Sequence, residues 1–213
     1  MPPWLAEMGR RFAYLQWLKL IGTFAFMWLF FLGYFETLRH PAHAVTTMPL
    51  TAVDEWVPFT PWALWVYVSL WFYIGIAPGL MPRLRPLVVH GLWAAALCLV
   101  GLACFHFWPT AVPARHFDAS GSAGFALLQG VDATGNACPS RRAATAMFSA
   151  AWIDRMLREV GAPRAVRWLN VFWFVAIAWS TMATRQHVLY DVLAGLLLGA
   201  LFAIPSWTRR KPG

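Results

Sequence analysis

The chain has 213 residues, of which 60% are hydrophobic and only 12% carry a charge. Soluble domains have roughly a quarter of their residues charged, so this composition excludes an ordinary soluble protein. The net charge of +8 would indicate nucleic acid as a partner in a soluble protein. In a membrane protein, by contrast, basic residues mark cytoplasmic loops. We therefore expect the chain to lie in a lipid bilayer and to have no nucleic-acid partner.

Apolar stretches of roughly spanning length follow one another along the chain. Residues 56–81, 86–114, 168–184 and 192–207 contain no Asp, Glu, Lys or Arg, and a spanning helix needs about 20 mostly apolar residues. These stretches predict an all-α fold, a polytopic membrane protein whose single domain, residues 1–213, is a six-transmembrane-helix bundle. The predicted helices are 15–37, 61–82, 87–108, 140–158, 165–182 and 187–207.

The basic residues are divided unevenly between the two sides that six spans define. Twelve of the 17 Lys and Arg residues fall on the side of the termini, and five fall on the other side. Because basic residues accumulate in cytoplasmic loops, we expect both termini in the cytoplasm and the opposite surface in the periplasm, in a bacterial inner membrane. The five residues on that outer surface are Arg39, Arg115, Arg141, Arg142 and Arg185.

A histidine and an aspartate open the last predicted helix, in the stretch TRQHVLYDVLAG (184–195). Positions four apart share one face of a helix, so Asp191 can accept the proton-bearing ring nitrogen of His187. That bond would raise the basicity of the other ring nitrogen, which then becomes a nucleophile. Ionisable groups at a membrane boundary are costly and commonly functional. A polar helix cap that happens to hold these two residues is the alternative.

The segment CPSRRAA (138–144) begins the fourth predicted helix. Ser140 is the expected N-cap, and the N-terminus of a helix favours anions such as phosphate. Arg141 and Arg142 add planar guanidinium groups that suit phosphate oxygens. A capped helix with two interfacial arginines explains the same residues without a ligand. Arg115, in the outer loop that precedes this segment, is a further candidate phosphate ligand.

Four segments, in this order, resemble the type-2 phosphatidic acid phosphatase superfamily, and most closely its integral membrane branch of inositol phosphorylceramide synthase-like proteins. The resemblance covers residues 45–204. The segments that carry it are AVDEWVPFTPWALWVY (52–67), FWPTAVP with Arg115 after it, VDATGNACPS (131–140) and STMATRQHVLYDVLAG (180–195).

The resemblance implies a membrane hydrolase or phosphotransferase that acts on a phosphoric ester or diphosphate of a lipid. His187 is then the catalytic nucleophile, which forms a phosphohistidine, and Asp191 is the catalytic partner that orients it. Such enzymes accelerate phosphoryl transfer by positioning and charge stabilisation. No metal or other cofactor is implied, and the acceptor is water or an alcohol. The residues implied to bind the phosphoryl oxygens are Arg185, Arg115, Ser140, Arg141 and Arg142.

The sequence departs from the family's pattern at three places. Val-Pro-Ala-Arg (112–115) stands where the Pro-Arg-Pro is usual, and Thr181 replaces the basic residue six positions before the nucleophile. Arg142 stands where the Pro-Ser-x-His motif has the histidine that serves as general acid, and arginine is a very poor proton donor. Three outcomes are open. The substrate is a diphosphate, for example an isoprenyl diphosphate, whose leaving group needs no proton; His116 supplies the proton; or the protein is a degenerate relative that binds lipid phosphate without turnover.

Rival classes remain besides these. A non-enzymatic lipid-binding or scaffold protein accounts for the basic outer residues without any turnover. A membrane cytochrome needs histidines at matching depth on facing helices, for which His106 and His187 are the available pair. A transporter has little support, because the sequence has no internal repeat and no pair of broken helices.

Overall fold

The computed structural model describes residues 1–113 and 136–208. This part of the chain is mostly helical, which confirms the all-α prediction, and its one sheet is a two-residue parallel pairing of β1 with β2. The helices are α1 (Pro3–Ala13), α2 (Gln16–Arg39), α3 (Ala52–Trp56), α4 (Ala63–Val68), α5 (Leu70–Gly79), α6 (Leu84–Phe107), α7 (Arg141–Glu159), α8 (Arg164–Ala183) and α9 (Leu189–Thr208); the strands are β1 (Thr46–Thr47) and β2 (Thr110–Ala111).

Four helices in the described residues are long and apolar enough to cross a membrane, where the sequence predicted six. They are α2, α6, α8 and the Leu189–Ser206 part of α9. The predicted helix 61–82 is instead two shorter helices, α4 and α5, which meet at Ser69. The Ser69 hydroxyl donates to the carbonyl oxygen of Val66 at 2.6 Å, and bonds of this kind bend helices. Helix α7 has spanning length but carries charged residues at both of its ends.

Helix α7 forms the centre of the bundle. Trp152 and Met156 are almost completely buried, and α7 packs against α5, α8 and α9. Helix α9 approaches it most closely at two glycines. A Cβ atom on Gly195 would lie 2.2 Å from the carbonyl oxygen of Ser140, and one on Gly199 would lie 2.4 Å from that of Ala144. Small residues four positions apart allow the backbones of membrane helices to pack this closely.

Helix α1, which the sequence did not predict, closes the end of the bundle that is opposite to the start of α7. Pro3 occupies its first turn, where a missing N–H is tolerated, and Arg11 forms ion pairs with Glu7 and with Glu159 at the end of α7. The side-chain hydrogen bond from Arg11 lowers the pKa of Glu7, although burial opposes the shift. The buried Lys19 of α2 donates to three backbone carbonyls at this end, those of Arg11, Gly79 and Met81.

Candidate functional site

His187 and Asp191 lie together at the beginning of α9. Nδ1 of His187 is 3.6 Å from Oδ2 of Asp191, slightly beyond hydrogen-bond distance. The Asp191 side chain is fully buried, whereas 11% of the His187 side chain is exposed. The aspartate therefore lies behind the imidazole, and the imidazole is the member of the pair that a ligand can reach.

The local backbone explains how the two side chains meet. His187 precedes α9 rather than lying within it, so the pair does not share a helical turn as the sequence predicted. The difference arises because Oδ2 of Asp191 accepts the backbone N–H of Val188 at 3.1 Å, which is the reciprocal half of a capping box. The N–H of His187 itself bonds to the carbonyl oxygen of Thr181 at 3.0 Å. The backbone N–H groups of His187 and Val188 are thus both hydrogen-bonded, which fixes the backbone that carries the imidazole.

The start of α7 meets the start of α9. Ser140 is the N-cap of α7, as predicted, and its side chain accepts the N–H of Ala143 at 3.3 Å. Its own N–H donates to the backbone oxygen of Asp191 at 2.8 Å. The two helices run in the same direction from this junction, because Gly195 and Gly199 follow Ser140 and Ala144 in order. The positive end of the α7 dipole therefore lies beside the His187–Asp191 pair.

Arg141 and Arg142 are both held against aromatic rings. The guanidinium carbon of Arg141 is 3.5 Å from the ring centroid of Tyr34, and that of Arg142 is 3.8 Å from the centroid of Tyr67. Cation–π contacts of this kind hold a guanidinium in place without neutralising its charge. Both guanidinium groups are therefore held close to the N-terminus of α7.

Arg185 and Asp54 form a second link across this end of the bundle. Arg185 has a positive φ of 59°, and its guanidinium donates to the backbone oxygen of Asp54 at 2.7 Å. The Asp54 carboxylate accepts the N–H of Leu189, the first residue of α9, at 2.8 Å, and it also accepts from Thr51 at the start of α3. Asp54 therefore caps two helices at once.

Asp54 lies in the segment 52–67, which resembles the family, but the sequence indicated no role for it. Its position at the start of a short helix, three residues after a threonine, is a capping-box signal that indicated one of its two contacts. The other contact joins residues 135 positions apart in the chain, and no local signal indicates it.

The predicted phosphate ligand Arg115 and the alternative acid His116 lie outside the described residues. Cys138, just before Ser140, is half-buried, and burial raises the pKa of its thiol to about 11, helped by the nearby Asp191 carboxylate. A thiol with that pKa is protonated at neutral pH and is a poor nucleophile, which leaves His187 as the better nucleophile.

The described residues contain no group of three His, Cys, Asp or Glu side chains that is able to hold a metal ion. What they do contain is a reachable imidazole with a buried carboxylate behind it, a capped helix N-terminus and several arginines. This combination favours an anionic ligand and allows nucleophilic attack by the imidazole.

The described part of the chain is thus a helical bundle with four helices that are long and apolar enough to cross a membrane and with a histidine–aspartate pair at one end. No family model, no curated protein and no solved structure matches it. The likeness to type-2 phosphatidic acid phosphatases therefore rests on the residues quoted above.

Proposed function

We propose that the protein is a lipid-phosphate phosphatase or phosphotransferase that acts through a phosphohistidine at His187. The observation that carries the proposal is the junction of α7 with α9, where the N–H of Ser140 bonds to the backbone of Asp191 at 2.8 Å and His187 lies 3.6 Å from the Asp191 carboxylate. The junction thereby brings the proposed nucleophile and its orienting carboxylate next to the N-terminus of α7.

The proposed reaction has two steps. Because Nδ1 of His187 faces Asp191, Nε2 attacks phosphorus, and the bond between phosphorus and the leaving oxygen breaks with its electron pair going to that oxygen. Asp191 stabilises the positive charge that the imidazole acquires. Water or an alcohol then attacks the phosphohistidine, the P–N bond breaks, and the electron pair returns to His187. Arg185 and the start of α7 bind the phosphoryl oxygens in both steps.

Arg142 favours a diphosphate lipid as the substrate. When the terminal phosphorus of a lipid diphosphate is attacked, the leaving group is the lipid monophosphate, which is a stable anion. When a lipid monophosphate is attacked, the leaving group is an alkoxide, which needs a proton. Loss of a general acid costs about 10²–10⁴-fold in rate, and the cost falls mainly on the second reaction. The guanidinium of Arg142, fixed over Tyr67, is suited to stabilise a departing anion. An isoprenyl diphosphate is therefore the preferred candidate, ahead of a monophosphate phospholipid.

The proposed setting is a bacterial inner membrane crossed six times, with the site in the periplasm. Two observations support the proposal that α7, and α4 together with α5, also extend from one side of the membrane to the other. Helix α7 starts at the site and ends at Glu159, which pairs with Arg11 at the other end. The chain before α4 bonds to Ala183 near the site, through the N–H of Thr60, and α5 ends at Gly79, beside Lys19.

A degenerate protein that binds lipid phosphate without turnover is the alternative. It is favoured by Arg142, whose guanidinium is held 3.8 Å from the Tyr67 ring centroid. A guanidinium in this position is suited to bind an anion but not to donate a proton. This alternative predicts that lipid phosphate binds and that no phosphate is released.

The test is phosphate release by the purified protein from two lipids that share a chain and differ only in carrying a monophosphate or a diphosphate. We expect the diphosphate to react at least about 10²-fold faster, because only the monophosphate needs the missing acid. The variant Arg142→His should raise the monophosphate rate selectively.

The control for this experiment is a second histidine at the same end. His187→Ala should abolish release, while His106→Ala, which changes an exposed histidine at the end of α6, should leave it unchanged. Equal rates for the two lipids would contradict the leaving-group argument, and an active His187→Ala protein would eliminate the nucleophile.

A further inference from the structure

An apolar cavity of about 390 Å³ lies between α2, α5, α6 and α7, away from His187. Leu18, Leu84 and Val88 line it and are 50%, 48% and 50% exposed, respectively. Because these half-exposed residues belong to α2 and α6, the cavity opens sideways between the two helices. In a membrane this opening faces lipid chains rather than water.

A second cavity, of about 70 Å³, continues the first toward the site. Its lining includes Gly101 of α6 and the two arginines at the start of α7, Arg141 and Arg142. The cavities are adjacent because they have lining residues in common, so that together they form one groove beside α6. The residues lining both are Phe26, Met27, Ile74, Leu97, Cys98 and Thr145.

The length of this groove exceeds the thickness of one leaflet. Its lining on α6 extends from Leu84 to Gly101, which corresponds to roughly 25 Å at a rise of 1.5 Å per residue. One leaflet supplies half of a hydrocarbon core that is about 30 Å thick, or about 15 Å. A chain that fills the groove therefore extends beyond the middle of the bilayer, which an ordinary acyl chain of the outer leaflet does not.

We propose that this groove, the α2–α6 groove, binds the single long polyprenyl chain of the substrate, whose diphosphate lies at the start of α7. The inference rests on the proposed function and narrows its substrate class. A polyprenyl lipid has one chain that is longer than a leaflet, and its charged end meets Arg141 and Arg142 where the groove ends. A phospholipid has two shorter chains, for which a single lateral slot has no room.

Gly91 provides a direct test, because it lines the groove and a Cβ atom there meets nothing within 4 Å. Gly91→Leu places a larger side chain near the middle of the α6 lining, between Leu84 and Gly101. We expect it to lower kcat/KM for a long-chain polyprenyl diphosphate by about tenfold or more, the effect of even one methylene in an apolar pocket. Hydrolysis of geranyl diphosphate, whose chain is too short to reach Gly91, should stay within about twofold, inside the scatter of a neutral change.

The matched control is Gly75→Leu on α5, another glycine whose Cβ would meet nothing within 4 Å and which does not line the groove. It should affect neither substrate. If Gly91→Leu slows both substrates equally, or neither, the chain does not occupy the groove.

A binding experiment separates failure of this inference from failure of the proposed function. A long-chain polyprenyl phosphate with a photoreactive group at its distal end is irradiated with the intact wild-type protein and with the His187→Ala variant. Cross-links at the lining residues Thr23, Leu87 and Ala94 that disappear in Gly91→Leu support the groove, even if no phosphate is ever released. Cross-links confined to outward-facing residues such as Leu92 and Leu99, which are 66% and 65% exposed, would overturn it.

Discussion

Single residues at the site end serve more than one helix. Asp54 accepts hydrogen bonds from Thr51 at the start of α3 and from Leu189 at the start of α9. Asp191 similarly accepts from Val188 and lies 3.6 Å from His187. A buried carboxylate is costly unless it is hydrogen-bonded, and here the bonds also fix the direction of the loop that carries His187. The residues that hold the site and those that fold the chain are thus partly the same.

Replacement of Asp54 tests this double role. We expect Asp54→Ala to destabilise the protein by about 3 kcal/mol, since hydrogen bonds to a charged group contribute about 1.5–3 kcal/mol each and the N–H of Leu189 loses its partner. The neighbour Glu55 is exposed, so Glu55→Ala is the control and should change little. Thermal unfolding of the two variants in the same detergent gives the comparison. Equal transition temperatures would show that the Asp54 contacts contribute no stability.

At the scale of helices, the site depends on how closely α7 and α9 pack. A Cβ atom on Gly195 would lie only 2.2 Å from the backbone oxygen of Ser140. A carbonyl oxygen cannot rotate away as a long side chain does. Any residue larger than glycine must therefore push the two helix starts apart and disturb the bond from Ser140 to Asp191.

We accordingly expect Gly195→Ala to cost about 1–3 kcal/mol of stability, as overpacking does, and to reduce phosphate release. Glycine to alanine in a helix otherwise favours folding by up to about 1 kcal/mol. Gly75→Ala, where nothing lies within 4 Å, should therefore be neutral or stabilising. Equilibrium unfolding of both variants measures the difference. If Gly195→Ala proves as stable as Gly75→Ala, the close packing of α7 on α9 is wrong.

The helices that could be predicted from sequence are those whose apolar run is long. The predicted helix 87–108 is close to α6, Leu84–Phe107, because hydrophobicity alone defines such a helix in lipid. The break at Ser69 was not predicted, and the Ser69 hydroxyl also accepts a hydrogen bond from Trp173, 104 positions away, which no local pattern indicates. Helix α1 was missed because it is short and pairs its charges with α7 only in the folded chain.

The same reasoning explains what could be predicted of the site. The spacing of His187 and Asp191 indicated their proximity, although the local cap rather than a shared helical turn produces it. Ser140 was predicted as an N-cap from its position before an alanine-rich run. The rings beneath Arg141 belong to α2 and α6. Contacts between distant segments of this kind have no local sequence signal.

For the whole molecule, the distribution of basic residues predicts its orientation. If basic loops remain in the cytoplasm, a fluorescent reporter that requires the cytoplasm should be active at the C-terminus. An epitope inserted between residues 113 and 136 should instead be reached by a probe that does not cross the inner membrane. Intact cells expressing the insertion, with a cytoplasmic protein as the control, provide the measurement. Labelling only after the cells are permeabilised would place the site in the cytoplasm.

The central claim is that His187 receives the phosphoryl group. The most direct measurement is to mix the protein with a polyprenyl diphosphate labelled in its terminal phosphate, quench with alkali, and locate the label by mass spectrometry. We expect an acid-labile, alkali-stable phosphoryl group on His187 that is absent from His187→Ala and unchanged in His106→Ala. Phosphate release without any label on His187 would contradict the mechanism.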